Sequence, residues 1–467
     1  MTYAQDELSL EDNIAAIATP LVPAAIAVIR TSGKGSIELV ARVFSRPAAL
    51  LEASGNTMVH GWIQSTDGHR LDEVVLGVWK HPASYTAQDG VEVFCHGGVA
   101  VVQAVFKLLL SVGFRQAHRG EFTLRSYLAG KIDLTQAEAV AELIDGKTHD
   151  EAMMAASRLS GSVSECIGTV KKQLIDTLAS IEVEVEYPED EDNFSRAFDV
   201  APLVQVHSTL AQLASSWKVA RVYQDGVRVV LCGKSNAGKS TLFNALIKEE
   251  RAITSPQAGT TRDWIEVQAD FAGVPVHLFD TAGLRDTAEA VELEGQDRTR
   301  QLVATADIVI YVVDKSVGVD ERDLEYVKEV RDRGQHIVLA ANKCDIAQGA
   351  MTHSPCDGRH WDARADVSAK TGAGVDTLSQ LVAQLAVGDD EDVRHTVALG
   401  TQRQKLSVDA AVEAISHAIA VAQERTLGLD AVAQDVEDAI SALSAITGEV
   451  TSDDILDSVF SHFCVGK

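Results

Sequence analysis

The sequence is short of positive charge. Its 467 residues include 41 Lys and Arg against 68 Asp and Glu, which gives a formal net charge of −27 at pH 7. Proteins gain most of their affinity for nucleic acid by neutralising phosphates with basic side chains, so this balance argues against a chain that grips nucleic acid over a broad face. A nucleic-acid role would need a local basic patch or a partner that supplies the grip. The ordinary interpretation of the charge is solubility.

Long apolar runs and paired cysteines are also missing. The sequence has no run of about eighteen apolar residues, so no membrane span is expected. The first residues, MTYAQDELSLEDN, lack the basic and apolar regions of a signal peptide. None of the six cysteines forms a C-x-x-C pair, so neither a disulfide framework nor a zinc site is expected, and a cytoplasmic location is predicted.

Apolar periodicity changes along the chain and predicts an α/β multidomain protein. Residues 1–129 mix short apolar runs with Gly and Pro, which indicates an N-terminal α+β domain. Helical spacing dominates in 130–222 and returns in 379–467. Between them, in 223–378, apolar runs alternate with helical segments, as in a parallel sheet wrapped by helices. We therefore predict a helical domain interrupted by an inserted, doubly wound P-loop domain of the Ras-like type.

The segment VRVVLCGKSNAGKSTLFNAL contains the pattern G-x-x-x-x-G-K-[ST]. It follows an apolar strand and opens a helix, which is the context that a phosphate-binding loop requires. Glycines let backbone N–H groups close around phosphate oxygens, and the helix N-terminus adds partial positive charge. Lys239 is expected to reach the β- and γ-phosphates, and the Ser240 hydroxyl to coordinate Mg²⁺.

Four further motifs follow in the order that a guanine-nucleotide site requires. GTTRD offers Thr261 as a second Mg²⁺ ligand, and DTAG brings Asp280 near the water shell of the metal. NKCD offers Asp345 to the N1/N2 edge of guanine, and a site left with an unpaired buried carboxylate rejects adenine. The SAK motif is expected to pack against the guanine base. The predicted GTP-binding residues are Asn236, Ala237, Gly238, Lys239, Ser240, Thr241, Ser255, Pro256, Gln257, Ala258, Gly259, Thr260, Thr261, Asp280, Thr281, Ala282, Gly283, Asn342, Lys343, Asp345, Ser368, Ala369 and Lys370.

The glutamine that positions water in Ras-like GTPases is absent, because Leu284 follows DTAG. Asn236 could instead hold a monovalent cation beside the phosphates, which would supply stabilising charge. Glu292, twelve residues past Asp280, is a candidate for orienting water. From spacing alone, a solvated carboxylate on a helix face is the favoured interpretation of Glu292.

Motifs along the whole chain resemble the bacterial tRNA modification GTPase family MnmE, also called TrmE. The segments that carry the resemblance are IAAIATP, SYTAQDGVEVFCHGG, RGEFTLRSYLAGKIDLTQAEAVAELID, NAGKSTLFNAL, AGTTRD, DTAGLRDT and ITGEVTSDDILDSVFSHFCVGK. The resemblance implies a homodimer formed through the N-terminal domain and a heterotetramer with the FAD- and NADH-dependent subunit MnmG. Together they would add an aminomethyl or carboxymethylaminomethyl group to C5 of the wobble uridine of certain tRNAs, with a folate as one-carbon donor.

The resemblance also implies roles for individual residues. A potassium ion would be held by Asn236, with Ser255, Gln257 and Thr260 from the following loop, and Glu292 matches the water-orienting glutamate of the family. A formyltetrahydrofolate would be bound in the N-terminal domain; its implied ligands are Arg30, Glu92, Lys131 and Lys467. Without the resemblance, Arg30 would be interpreted as a surface charge at a strand end.

The tail SHFCVGK has an ordinary interpretation as a frayed terminus. The resemblance instead implies that it is tucked toward the folate site, with Cys464 as a candidate functional thiol. The chain departs from the usual family pattern at Ser235, at Ser255, in the segment LVPAA and at Arg119.

Three other functions fit parts of the sequence. A ribosome-assembly GTPase that binds RNA is disfavoured by the acidic balance. A dynamin-like mechanical GTPase would need helices with a basic or apolar membrane-binding tip, and none is evident. A P-loop ATPase is disfavoured by Asp345.

Overall fold

The computed structural model describes residues 11–186, 199–248, 265–280, 302–346, 360–388, 397–424 and 428–467. The chain divides into two compact units, of which the first comprises Met1–Ala141, Leu159–His207 and Leu406–Lys467. The second comprises Glu142–Arg158 and Ser208–Lys405. Thr261, Leu284, Glu292, the segments 255–260 and 281–283, and the YPEDED loop lie outside the described residues.

The first unit contains a sheet of six strands in the order β3-β4-β5-β2-β1-β6. The strands are β1 (Ile14–Ile17), β2 (Ile26–Ser32), β3 (Thr57–Gln64), β4 (Arg70–Trp79), β5 (Gly90–His96) and β6 (Arg115–Gln116). Neighbouring strands are antiparallel except β1 and β6. One apolar face is covered by helices α1 (Ser36–Ala41), α2 (Pro47–Leu51) and α3 (Val99–Ser111), which share a buried core with the sheet.

Helices then follow one another, as the periodicity predicts. They are α4 (Glu121–Leu128), α5 (Leu134–Asp145), α6 (His149–Leu159), α7 (Ser162–Glu186) and α8 (Ala201–Asp225). After the second sheet, helices return as α12 (Gln402–Glu424), α13 (Leu429–Thr447) and α14 (Asp453–Ser461). The apolar stripe of α13 is buried at Val432, Val436, Ala439 and Leu443, the spacing of one helix face.

The second unit contains a six-stranded sheet in the order β12-β11-β10-β7-β9-β8. The strands are β7 (Val227–Cys232), β8 (Ile265–Phe271), β9 (Val274–Asp280), β10 (Ile308–Asp314), β11 (His336–Asn342) and β12 (Ala363–Asp366). Paired strands are parallel except β8 and β9. Helices α9 (Lys239–Leu246), α10 (Glu321–Arg331) and α11 (Val375–Val387) belong to this unit. Separate apolar clusters cover its two faces, so the predicted doubly wound G-domain fold is confirmed.

This strand order positions the functional site. The chain leaves β7 toward α9, and β7 lies between β10 and β9, where the winding of the sheet reverses. Ligands of open α/β sheets bind at such a switch point, beyond the carboxyl ends of the strands. Those ends carry Gly233, Asp280, Asp314 and Asn342. Within the described residues, no helix is both long enough and apolar enough to span a membrane.

Candidate functional site: a guanine-nucleotide pocket and an N-terminal charged cluster

The phosphate loop runs from Gly233 to Gly238, between β7 and α9. Three of its residues have positive φ angles: 133° at Gly233, 65° at Asn236 and 91° at Gly238. A Cβ atom on Gly233 would lie 2.2 Å from the carbonyl oxygen of Val312 on β10, so only glycine fits there. The loop ends with Gly238 at the N-cap of α9, where it presents the first backbone N–H groups of the helix.

Lys239 is buried within this loop. Its Nζ donates to the carbonyl oxygens of Gly233 and Lys234, at 2.8 Å each. Phosphate oxygens offer an ammonium group stronger, charge-assisted hydrogen bonds than neutral carbonyl oxygens do. These hydrogen bonds hold the predicted phosphate-binding lysine against the loop that is expected to surround the phosphates.

The guanine-reading motifs meet the phosphate loop through Asn342. This side chain is buried at the end of β11; its Nδ2 donates to the carbonyl of Ala237 at 2.8 Å, and its Oδ1 accepts from the backbone N–H of Ala369 at 3.0 Å. Ser368 donates to Asp345 Oδ1 at 2.7 Å and so orients the carboxylate predicted to read guanine. The structure thus brings together the residues of GKSNAGKS, NKCD and SAK, as the sequence predicts.

Lys343 adopts a φ of 65° and pairs through Nζ with Asp314 Oδ2 at 2.8 Å. Burial alone would raise the pKa of Asp314, but hydrogen bonds from Lys343 and Ser316 hold that pKa below its usual range. Asp314 therefore stays ionised at neutral pH and fixes the lysine of NKCD. Asp314 was not predicted from the sequence; the signal was an aspartate at the end of the apolar run ADIVIYVVD.

Of the residues predicted to bind metal ions, the described ones are one buried and two exposed groups. Asp280 ends β9 and is buried, whereas Ser240 and Asn236 are exposed on the loop and the first turn of α9. A hydroxyl and a carboxylate are oxygen ligands of the kind that Mg²⁺ takes, and a carboxamide oxygen suits K⁺. These residues fit both ions in chemistry; Thr261, Ser255, Gln257, Thr260 and Glu292 lie outside the described residues.

A second group of predicted residues meets on the sheet of the first unit. Arg30 on β2 and Glu92 on β5 stand directly opposite each other, and Arg30 Nε donates to Glu92 Oε1 at 2.8 Å. The guanidinium also donates to the carbonyl of Gly466 at 3.3 Å and lies 5.8 Å from the ring centroid of Phe122. The cluster combines a cation, a carboxylate and an aromatic face.

The C-terminal tail is docked against this cluster. Val465 forms an antiparallel bridge with Arg119, and Gly120 donates its N–H to the carbonyl of Cys464 at 3.4 Å. Burial, then the nearby charge of Arg30, lowers the pKa of Lys467. Cys464 itself is exposed. The tail is therefore held in place and is not a frayed terminus.

The structure does not show Lys131 joining Arg30 and Glu92. Lys131 Nζ donates to the carbonyls of Pro82 and Ser84, at 3.2 and 2.9 Å. It thereby holds the loop that leads to Tyr85, whose hydroxyl is 3.0 Å from Thr123 Oγ1. Burial raises the pKa of Tyr85, against the lowering effects of Thr123 and Arg30. Sequence reasoning missed Tyr85 and Phe122, although both lie within segments that carried the family resemblance.

Two family models match the chain. A model described as the N-terminus of the GTP-binding protein TrmE matches residues 13–131, and one described as the MnmE helical domain matches residues 134–464.

Curated relatives match over nearly the full length. A protein of Treponema denticola named tRNA modification GTPase MnmE is 41% identical over 467 residues, covering 98% of this chain and 99% of that protein. Proteins of the same name from Borrelia recurrentis and Carboxydothermus hydrogenoformans are 38% and 36% identical, each over 98% of this chain. The alignments cover 98% and 100% of those two proteins.

Solved structures match a smaller share of the chain. The G domain of the T. maritima FeoB iron transporter is 24% identical, covering 34% of this chain and 98% of that chain, with a TM-score of 0.26. A point variant of Aquifex aeolicus Era bound to GDP·AlF4⁻ is 24% identical, covering 40% of this chain and 66% of that chain, with a TM-score of 0.28. Scores this low carry no argument about this chain.

Proposed function

The chain belongs to the MnmE family of tRNA modification GTPases, and from that premise we propose the finer assignment: it is a potassium-activated GTPase that works with a flavin-dependent partner. Together they would add an aminomethyl or carboxymethylaminomethyl group to C5 of the wobble uridine of certain tRNAs. The observation that carries the nucleotide part of the proposal is Asn342, which hydrogen-bonds both the phosphate loop and the SAK segment.

Nucleotide binding follows from groups that the strand ends bring together. Backbone N–H groups of residues 236–240 would cradle the β-phosphate, Lys239 would exchange its carbonyl partners for phosphate oxygens, and Asp345 would accept from guanine. Ser240 would hold Mg²⁺, joined by Thr261, with Asp280 acting through the metal's water shell. These residues would hold Mg²⁺, which would supply charge that neutralises the phosphates, and they would help to align the terminal phosphate for attack by water.

The hydrolysis step needs a substitute for the missing glutamine. We propose that Asn236, with Ser255, Gln257 and Thr260, would hold a potassium ion, which would supply stabilising charge beside the phosphates, and that Glu292 would orient the attacking water. Asn236 supports this role because it is an exposed residue on the phosphate loop itself.

The test is GTP turnover by the purified chain in potassium, then in sodium at equal ionic strength. We expect turnover in potassium to exceed that in sodium, and Asn236→Gly and Glu292→Gln each to lower the potassium rate by about 10²-fold, the usual cost of removing one electrostatic stabiliser. Glycine is the chosen replacement at position 236 because it tolerates the positive φ without strain.

Two results would change the assignment. Equal rates in both salts would overturn the potassium role and favour an activating partner or a ribosome-assembly switch. A potassium effect that survives in Asn236→Gly would place the cation elsewhere. Arg333→Met, which removes an exposed ion pair with Glu329 on α10, is the matched control and should leave both rates unchanged.

The charged cluster of the first unit supports a folate-binding role. A folate carries glutamate carboxylates and a pterin with an amidine-like edge, and Arg30, Lys467 and Glu92 offer complementary charges for both. We propose that these three residues contact a formyltetrahydrofolate directly. Lys131 would position the neighbouring loop through Pro82 and Ser84.

The assembly we propose is a homodimer formed through the N-terminal domain, joined by the flavin-dependent subunit MnmG. The net charge of −27 supports a division of labour in which the partner supplies much of the grip on tRNA, since an acidic surface repels phosphates. Cys464, exposed beside the cluster, is the thiol we propose as a candidate for a role in the chemistry.

A further inference from the structure

Two lysines, one from each nucleotide-binding loop, pair with carboxylates at opposite ends of one connection. This connection, residues 314–320, joins β10 to α10. Lys343 of the guanine-binding loop pairs with Asp314 at 2.8 Å, and Lys234 of the phosphate loop pairs with Asp320 at 2.5 Å. The connection therefore links the two loops through ion pairs, separately from the Asn342 side chain.

The carboxylate partners of Lys234 are themselves held firmly. Asp320 is the N-cap of α10 and forms a capping box with Asp323: each carboxylate accepts from the backbone N–H of the other residue, at 3.1 and 2.9 Å. Asp323 is buried, accepts from the Tyr311 hydroxyl at 2.7 Å, and lies 3.0 Å from Lys234 Nζ. Lys234 is thus anchored to the start of a helix and, through Tyr311, to β10.

The anchored Lys234 is also one of the two residues whose carbonyls hold the predicted phosphate-binding lysine. The carbonyl of Lys234 accepts from Lys239 Nζ at 2.8 Å. The hydrogen bond to Asp320 raises the pKa of Lys234, and the same bond lowers the pKa of Asp320 to about 2, so both groups stay charged at neutral pH. The ion pair therefore limits how far Lys234 can move, and its carbonyl forms part of the wall of the phosphate site.

We propose that Lys234 and Asp320 form a positioning pair that holds the phosphate loop in its nucleotide-binding shape. The inference rests on the proposed GTP-binding function and adds to it two residues that need not touch the nucleotide. An ion pair this exposed contributes little to the stability of a fold, because water screens it. Its effect is therefore expected in nucleotide affinity, which depends on the prior order of the loop, and not in the melting temperature.

The experiment compares variants of the full chain by fluorescence titration with a labelled GDP. Lys234→Met and Asp320→Asn should each raise the Kd about fivefold. The double variant should bind no more weakly than Lys234→Met, because Lys234→Met already removes the contact that Asp320→Asn removes. Lys234→Arg keeps the charge and should restore affinity to within about twofold. Asn remains a good N-cap, so Asp320→Asn keeps the start of α10 intact.

Arg333→Met is the matched control: it removes a pair of similar exposure from the other end of the same helix, and its Kd should equal that of the unaltered chain. Unaltered affinity in Lys234→Met, or losses that add in the double variant, would overturn the positioning pair. If Lys234→Met does not fold, the GDP affinity of Asp320→Asn alone tests the proposal, and an unaltered Kd in that variant would overturn it. Failure of the unaltered chain to bind GDP would instead overturn the proposed function.

Discussion

Gly238 is the residue of the phosphate loop that lies against the Asn342 side chain. It has a φ of 91°, and a Cβ atom there would lie 2.3 Å from Asn342 Nδ2. That amide is the group that joins the phosphate loop to the guanine-binding loop, through the carbonyl of Ala237. A methyl group at position 238 would therefore disturb both halves of the nucleotide pocket at once.

Gly238→Ala should accordingly weaken GDP binding by at least about tenfold, because the Asn342 side chain must leave its place. Gly334→Ala is the matched control, since Gly334 has a φ of 83° but a Cβ there would meet nothing within 4 Å. The control should cost about 1 kcal/mol of stability from the left-handed backbone and leave affinity unchanged. Titration with labelled GDP measures the affinity of each variant. Equal losses of affinity in Gly238→Ala and Gly334→Ala would contradict the role of the contact.

Lys239 and Lys234 show how neighbouring lysines in one loop acquire different tasks. Lys239 turns inward to two loop carbonyls, whereas Lys234 turns to the carboxylates that begin α10. The motif predicts the first, because the phosphate-binding lysine has a fixed place within it. The second depends on Asp320, which is 86 residues away in the sequence.

At the scale of elements, helix α14 decides where the C-terminal tail lies. Phe460 on α14 is fully buried, with its ring centroid 6.4 Å from Tyr127 of α4 and 5.4 Å from Phe463. Gly120 allows the close approach, because a Cβ there would lie 2.9 Å from the carbonyl of Phe460. Packing of α14 against α4 thus delivers the tail to Arg30.

Phe460→Ala should release the tail and weaken binding of 5-formyltetrahydrofolate. Loss of a buried phenylalanine costs about 3–5 kcal/mol, which is enough to undock a short helix. Calorimetric titration of the variant with the folate measures the effect. Val450→Ala, at an exposed side chain, is the control and should bind as the unaltered chain does. Unchanged folate affinity in a Phe460→Ala protein whose tail is cleaved faster by carboxypeptidase would contradict a role of the tail in that site.

At the scale of the whole molecule, the chain divides into two compact units with separate apolar cores. The described residues of the nucleotide pocket belong to the second unit, and the Arg30 cluster belongs to the first. A ligand that binds only the native state stabilises the structure that holds its site, by about 2.7 kcal/mol at a concentration of 100 times its Kd.

Scanning calorimetry of the full chain should therefore show two transitions, of which GDP raises one. ADP is the matched control, since Asp345 is predicted to accept from guanine and adenine lacks that donor pair, and ADP should shift neither transition. A single transition, or two that GDP raises equally, would contradict independent unfolding of the two units. The same scan of Gly238→Ala should lose most of the GDP-dependent shift.

The nucleotide-binding chemistry is predictable from the sequence, because it depends on short local motifs. The spacing of Gly233, Gly238 and Lys239 specifies a loop whose backbone turns around a phosphate, whatever surrounds it. Alternating apolar runs and helical segments likewise determined the doubly wound sheet, since each element buries a face that its own period defines. Parallel strands then require the motifs that follow them to meet at one edge.

The charged groups that meet across the chain are set by its tertiary packing. Arg30 and Gly466 are 436 residues apart, and no local pattern records that their atoms lie within hydrogen-bonding distance. The family resemblance groups Lys131 with Arg30, but packing gives Lys131 carbonyl partners on another loop and places Phe122 beside the guanidinium. The physical reason is that local periodicity sets which face of an element is buried, whereas the partner of an individual polar side chain depends on the packing of elements distant in sequence.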